Sequence, residues 1–426
     1  MDERLRNAID KDYTEPVRDP LWGHIYLTKE LAELCSCEPF IKLTRILQLG
    51  PSYIVYPGAS HTRAAHSLGV YHLARRLLRL LLERGADAWA TERGARSFLA
   101  AALLHDIGHF PYAHSLKELP LIDHECLSGK LILSPDLRAK VAATGADPDF
   151  VAAIVDKALP SSGDRELHFY RKLLSGVLDP DKLDYLNRDA RYCGVPYGAQ
   201  DVDFTLSRLL PNQENGVDID SRGIPSVEAI LFAKYLMYRS VYWHRDVRSA
   251  TAMVKKAVKS GLEQQIISSG ELYGLDDAGL FSLLAARKNP SFKIASDLRS
   301  GHLYRNVFEL AFDQSRHTQL ADLSKRSDFE HNLADELSKA LDHRVDMNEL
   351  IIDLPEPVSF ETGLYVADES KSFSESSTVF SKATIASFVR SLRVLRVFVS
   401  PELALHLDNK KVDTVLREDG KWLHST

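Results

Sequence analysis

The sequence predicts a mainly α-helical protein: a helical core to about residue 290, followed by a smaller α+β lobe. Three observations carry this. Apolar residues recur at spacings of three and four, the helical period, in one segment after another up to about residue 260. Runs with strand character come late, at Leu350-Ile351-Ile352-Asp353-Leu354 and across Leu392–Val399. The composition, 45% hydrophobic and 26% charged over 426 residues, is that of an ordinary globular chain long enough for more than one core.

The elements follow in order. Residues 1–20 are charged and proline-bearing and read as an arm lying on the body or on another subunit. Residues 21–290 form the core and 291–426 the smaller lobe. Thr28–Leu34 reads as a helix, and Phe40–Leu49 repeats apolar residues at helical spacing. Ser52–Pro57 holds Tyr53, Ile54, Val55 and Tyr56, an extended piece ended by Pro57-Gly58. From Arg63 to Arg84, Leu68, Val70, Leu73, Leu77, Leu80 and Leu81 form one face, and Gly85 stops the helix. Ser97–Ile107 is a second helix, ended by Gly108 and Pro111. Further helices are expected at Glu125–Leu133, Asp149–Leu159, His168–Ser175 and Asp181–Ala190. Gly216–Ile224 reads as a polar hairpin, Val227–Lys259 as one long helical stretch, and Asp368–Lys382 as a loop.

The net charge of −6 provides no global basic field, which argues against a large duplex-DNA footprint. Four cysteines (Cys35, Cys37, Cys126 and Cys193) in so long a chain make no disulfide framework. They read as thiols in a reducing compartment. The charged N-terminus lacks the apolar stretch of a signal peptide, and the longest apolar runs, such as Leu77–Leu82, are broken by arginines. A cytoplasmic protein away from membranes is expected.

The chemistry concentrates around Leu103-Leu104-His105-Asp106-Ile107-Gly108-His109. An imidazole and a carboxylate on adjacent residues reach one cation, and burying such groups without a partner is costly. His66, His105, Asp106 and Asp181 lie on three helical segments that can converge on one ion. Two imidazoles and two carboxylates suit one divalent transition metal, Mn, Fe, Zn or Ni, better than calcium. Taken singly, His66 also fits a core histidine. Asp181, just after Asp179-Pro180, also fits a first-turn acid favoured by the helix dipole. His109, His114 and His124 follow and suit proton transfer near neutral pH. No glycine-rich phosphate loop is present, so phosphate binding would rest on side chains and the metal.

The stretches Gln48-Leu49-Gly50, Tyr56–Val70, Leu104–His114 and Asp179–Asp189 resemble the HD-domain deoxynucleoside triphosphate triphosphohydrolases, from about residue 18 to about residue 260. The resemblance implies an HD-domain helical core that hydrolyses a dNTP to deoxynucleoside and inorganic triphosphate, by metal-assisted water attack on the α-phosphate. It implies metal ligands His66, His105, Asp106 and Asp181. His114 would donate the proton to the departing 5′ oxygen, and His109 and His124 would contact the α-phosphate. Arg63, Lys182 and Lys234 would hold the triphosphate, with magnesium on the phosphates. Gln48, Leu49, Tyr185 and Asp189 would line the sugar pocket, and Tyr242 would stack on the nucleoside. A homodimer or tetramer is the implied assembly.

Two departures from the family pattern stand out. Ser36, Ile41 and Thr44 occupy positions where regulated relatives carry acidic, Gln and Arg residues that grip an activating guanine nucleotide. Activity without GTP is therefore expected. Trp243 replaces a polar residue beside the base, which leaves base preference open. Two other readings remain: a phosphodiesterase acting on another nucleotide or on single-stranded nucleic acid, suggested by Arg239, Arg245 and Arg248 beside Tyr242 and Trp243, and a binding protein with a degenerate site.

Overall fold

The computed structural model describes residues 3–161 and 163–407, together with residue 415. It is mainly helical, with a helical core and a smaller C-terminal lobe built on a three-stranded sheet. No helix among the described residues is long and apolar enough to cross a membrane.

Three helices frame the centre: Arg63–Glu83, Glu92–Leu104 and Pro180–Cys193. The first packs against both of the others. Each starts on a side-chain cap. Thr62 accepts from the Ala65 amide, Thr91 from Gly94 and Asp179 from Lys182. The Glu92–Leu104 helix is buried all round from Ser97 to Leu104, which makes it the central helix of the core. Its C-terminal end delivers His105 and Asp106. The helix begins at Glu92 rather than Ser97, because Thr91 supplies the cap.

The N-terminal segment is folded onto this core. Glu3–Asp10 is a helix whose Leu5, Ala8 and Ile9 are buried against the Glu92–Leu104 helix. Glu15–Asp19 pairs antiparallel with Gly23–Leu27 through a turn at Gly23, whose positive φ suits glycine.

Three local expectations are corrected. Phe40–Leu49 is helical only as part of Glu38–Leu43; the chain then turns back through a bridge between Leu47 and Thr62. The β-branched and aromatic run expected to be extended instead forms a 3₁₀ turn over Gly50–Ile54. Pro51 pre-sets its first turn, and Ser52 Oγ donates to the Leu49 carbonyl. The stretch 227–259 is two helices, Ile224–Met237 and Arg245–Glu263, joined by a π-helical turn at Tyr238–Tyr242. No glycine or proline marks the break; the His244 ring caps the second helix by accepting from the Asp246 amide.

In the C-terminal sheet, Val394–Val399 is central, paired antiparallel with Arg305–Ala311 and Leu350–Asp353. The sequence reading found two of these strands and missed Arg305–Ala311. The helix Leu323–Leu341 packs on this sheet in its own apolar cluster. The stretch 355–392 instead returns to the helical core, burying Val358, Phe360, Val366, Phe373 and Phe380 there. Tyr365–Val366 adds to the hairpin Leu209–Asn212/Gly216–Ile219, which starts earlier than its glycine suggested. A buried ion pair fastens sheet to core: Arg248 Nε donates to Asp353 Oδ2 at 2.9 Å and Nη2 to Oδ1 at 2.5 Å. Arg248, read from sequence among the residues suggesting single-stranded nucleic acid, is therefore interior.

Candidate active site

The framing helices converge on a cavity of about 620 Å³. Arg63 and His66 enter from the first turn of one helix, and His105 and Asp106 from the end of the next. Asp181, Lys182, Tyr185 and Asp189 project from the third. Gln48 and Leu49 form one rim, His114 and His124 another, and Lys234 and Tyr242 close the far side. Every residue expected to ligate the metal, act on the phosphate or contact the substrate lines this cavity except His109, which lies fully buried behind it; Ser36, Ile41, Thr44, Arg239 and Arg245 lie outside it.

His66, His105 and Asp181 each offer a ligand atom within 4.8 Å of the others. His66 Nε2 lies 3.0 Å from Asp181 Oδ1. Asp106 stands at the edge of this group. One of its oxygens is 3.5 Å from His105 Nε2, and the other accepts from Arg63 Nη1 at 2.7 Å. The fit of a metal ion can be judged from the nitrogens. His105 Nδ1 faces the Ala102 carbonyl at 2.9 Å, which leaves Nε2 buried with no hydrogen bond among the described residues. A bare ring nitrogen beside two carboxylates suits a divalent cation, and the mixed nitrogen and oxygen donors suit a transition metal. Burial alone would raise the Asp106 carboxyl. His109, His105 and Arg63 outweigh that and hold it well below its usual range.

Sequence reasoning missed the residue that orients His66. Asp184 Oδ2 meets His66 Nδ1 at 2.8 Å, which leaves Nε2 to face the site. Asp184 is fully buried and is itself held by the Trp22 indole N–H at 2.6 Å and by Arg188 Nε at 2.8 Å. Arg188 continues to Asp19 at 2.8 Å, so the N-terminal hairpin belongs to this network. Gly69 makes room for it: a methyl group there would overlap the Asp184 carboxylate. The signal in the sequence was the Asp184/Arg188 spacing of four on one helix, inside a motif whose neighbours drew all the attention.

His109, His114 and His124 form a second group within 4.8 Å. The His109 ring stacks on His124 at 4.0 Å and approaches His114 at 4.8 Å. Neither nitrogen of His109 has a hydrogen-bond partner among the described residues. Burial and then Arg63 lower the pKa of His109 and His114, and burial brings His124 down to about 4.

The remaining residues carry contacts that the sequence did not foretell. Asp189 accepts from the Tyr242 hydroxyl at 2.7 Å and pairs with His61 Nε2 at 2.8 Å, and His61 stacks on Tyr192. Lys182 Nζ donates to Asp179 at 2.6 Å and lies 3.0 Å from Glu361. Lys234 Nζ donates to the Ser359 carbonyl at 2.7 Å. Residues 356–361 thus form a wall of the cavity. Ser36 and Thr44 spend their hydroxyls on carbonyls of their own helices.

Comparison with known proteins fits this geometry. Residues 63–158 match the HD domain and residues 205–418 the HD-associated region. An uncharacterized Methanocaldococcus jannaschii protein is 31% identical over 70% of this chain and 60% of its own length. An uncharacterized Bacillus subtilis protein, YwfO, is 33% identical over 56% of this chain and 54% of its own. The human deoxynucleoside triphosphate triphosphohydrolase SAMHD1 is 26% identical over 81% of this chain and 63% of its own. The chain thus spans between half and two thirds of the length of these relatives. Among solved structures, a hypothetical protein from Aquifex aeolicus superposes with a TM-score of 0.72 at 25% identity, covering 95% of this chain and all of that one. A Bacteroides thetaiotaomicron phosphohydrolase gives a TM-score of 0.70 at 22% identity, covering 91% and 99%, and shares the fold. The chain, with its HD domain and HD-associated region, belongs to the HD-domain family and is similar to the deoxynucleoside triphosphate triphosphohydrolases.

Proposed function

We propose that this protein is a metal-dependent phosphohydrolase that converts dNTPs to deoxynucleoside and inorganic triphosphate, without guanine-nucleotide activation. One observation carries the reading. A group able to ligate a metal, His114 and His124 with His109 packed behind them, and two lysines meet at one cavity with a tyrosine wall, and that cavity is of small-ligand size.

His66, His105, Asp106 and Asp181 would hold the ion, of which Mn, Fe, Zn and Ni all suit the donors. A bound ion of this kind polarises a phosphoryl oxygen and makes a water more acidic. Arg63, held by Asp106, would take part in holding the triphosphate, since a planar cation grips phosphate well. His124 would contact the α-phosphate, with His109, expected from the resemblance to do so too, instead stacked behind its ring. A ring nitrogen of His114 would pass a proton to the departing 5′ oxygen; the negative charge of a bound triphosphate favours the protonated imidazole that this step requires. Lys182 and Lys234 would take the outer phosphates, with magnesium bound to them. Gln48, Leu49, Tyr185 and Asp189 would bound the sugar, with Asp189 holding Tyr242 in place through its hydroxyl. The proposed setting is cytoplasmic, and the proposed assembly a homodimer or tetramer.

The test is product analysis with dNTPs, NTPs and short single strands, in the absence of GTP. Release of inorganic triphosphate from dNTPs is expected. Release of pyrophosphate or monophosphate, cleavage of single strands, or a strict GTP requirement would each refute the proposal.

A further inference from the structure

We infer that Glu361 is a specificity-determining residue: its carboxylate occupies the Lys182 ammonium in place of an outer phosphate, and exchanges with that phosphate when a long chain binds. The inference rests on the triphosphate reading of the site. Residues 355–363 run without regular secondary structure between the strand Leu350–Asp353 and the short strand Tyr365–Val366. Val358 and Phe360 are buried in the helical core and pin this strap at two points. What it shows to the cavity is oxygen. The Ser359 carbonyl accepts from Lys234 Nζ at 2.7 Å, and Glu361 Oε2 lies 3.0 Å from Lys182 Nζ. One strap therefore puts an oxygen on each of the two lysines.

The two acids on Lys182 are not equivalent. Asp179 is buried and caps the helix, so its contact at 2.6 Å is part of the frame. The Glu361 side chain remains 45% exposed, and a half-solvated carboxylate is easily released to water. A ligand whose phosphates reach Lys182 must displace Glu361; one confined to the metal end need not. Glu361 therefore weakens the hold on long phosphate chains selectively, and it helps a triphosphate product to leave by reclaiming the lysine.

The test is calorimetric titration of the full-length protein, in excess magnesium, with inorganic tripolyphosphate and with orthophosphate. Wild type, Glu361→Gln and Glu361→Ala are compared. Tripolyphosphate is expected to bind about 3- to 30-fold tighter to both variants, with orthophosphate unchanged. Unchanged or weaker tripolyphosphate binding in the variants, equal tightening of both ligands, or no tripolyphosphate binding by any of the three proteins overturns the inference. No nucleotide enters this experiment. A failure of dNTP hydrolysis with the expected titration result would therefore refute the substrate reading and leave Glu361's role standing.

Discussion

Two groups of histidines lie side by side at the cavity, one with a member buried behind the wall, and they are built differently. In the group of His66, His105 and Asp181, the far nitrogen of each ring is fixed, by Asp184 on His66 and by the Ala102 carbonyl on His105. In the group of His109, His114 and His124 the rings pack on one another, His109 stacked on His124 and His114 edge-on to it. Neither nitrogen of His109 makes a hydrogen bond among the described residues, Nε2 lying 3.4 Å from Asp106. A nitrogen that must hold a cation gains from a fixed tautomer and ring angle. A ring that must exchange a proton gains from being free to change its protonation. The contrast supports the proposed division, holding by the first group and proton movement by the second.

The largest expected effect comes from Asp106, which touches both groups. Asp106→Ala is expected to abolish metal content, measured by elemental analysis, and turnover with it. A variant that loses its metal yet keeps turning over, or keeps both, would break the assignment. Next comes His114→Ala, expected to retain the metal while losing about two to four decades of rate. Near-wild-type rates, or loss of the metal, would erase the distinction between the groups. Asp184→Asn tests the fixing itself. Metal affinity is expected to fall about 10- to 100-fold with the far-ultraviolet circular dichroism unchanged. Unchanged affinity would show that the bond to His66 Nδ1 does not prepare the ligand.

The smallest effect on the site is expected from the Arg248–Asp353 joint, which lies outside both groups. Burial would raise the Asp353 carboxyl, but Arg248 prevails and lowers it. A carboxylate depressed in the folded state adds stability above its unfolded pKa, and that stability is lost as the pH falls through the folded value. The melting temperature should therefore drop below about pH 4. In Asp353→Asn this acid dependence should flatten while metal content at neutral pH stays the same. A shift in metal content would mean that the lobe and the metal group are coupled.

Much of this site was legible in the sequence because its polar residues sit at fixed offsets on long helices. Arg63 and His66 share a face, as do Asp181, Tyr185 and Asp189, so placing the helix places the side chains. What was hidden depends on segments distant in the chain. Nothing near Asp184 announces that Trp22 and Asp19 will meet it, and nothing near Lys182 announces Glu361, 179 residues later. The strand Arg305–Ala311 escaped notice because only one of its residues is fully buried, so it shows no clear alternation. The 3₁₀ turn at Gly50–Ile54 was hidden by strand-loving side chains that the proline overrode.

The π-helical turn at Tyr238–Tyr242 has a consequence for the length of the gene. It holds one residue more than a regular helix would over the same rise. Deleting a single codon before Tyr242 would shift that residue by one helical position, about 100° around the axis, while the extended His244 would still end the helix. Tyr242 would swing off Asp189. In this stretch the protein should tolerate many changes of letter and few changes of length.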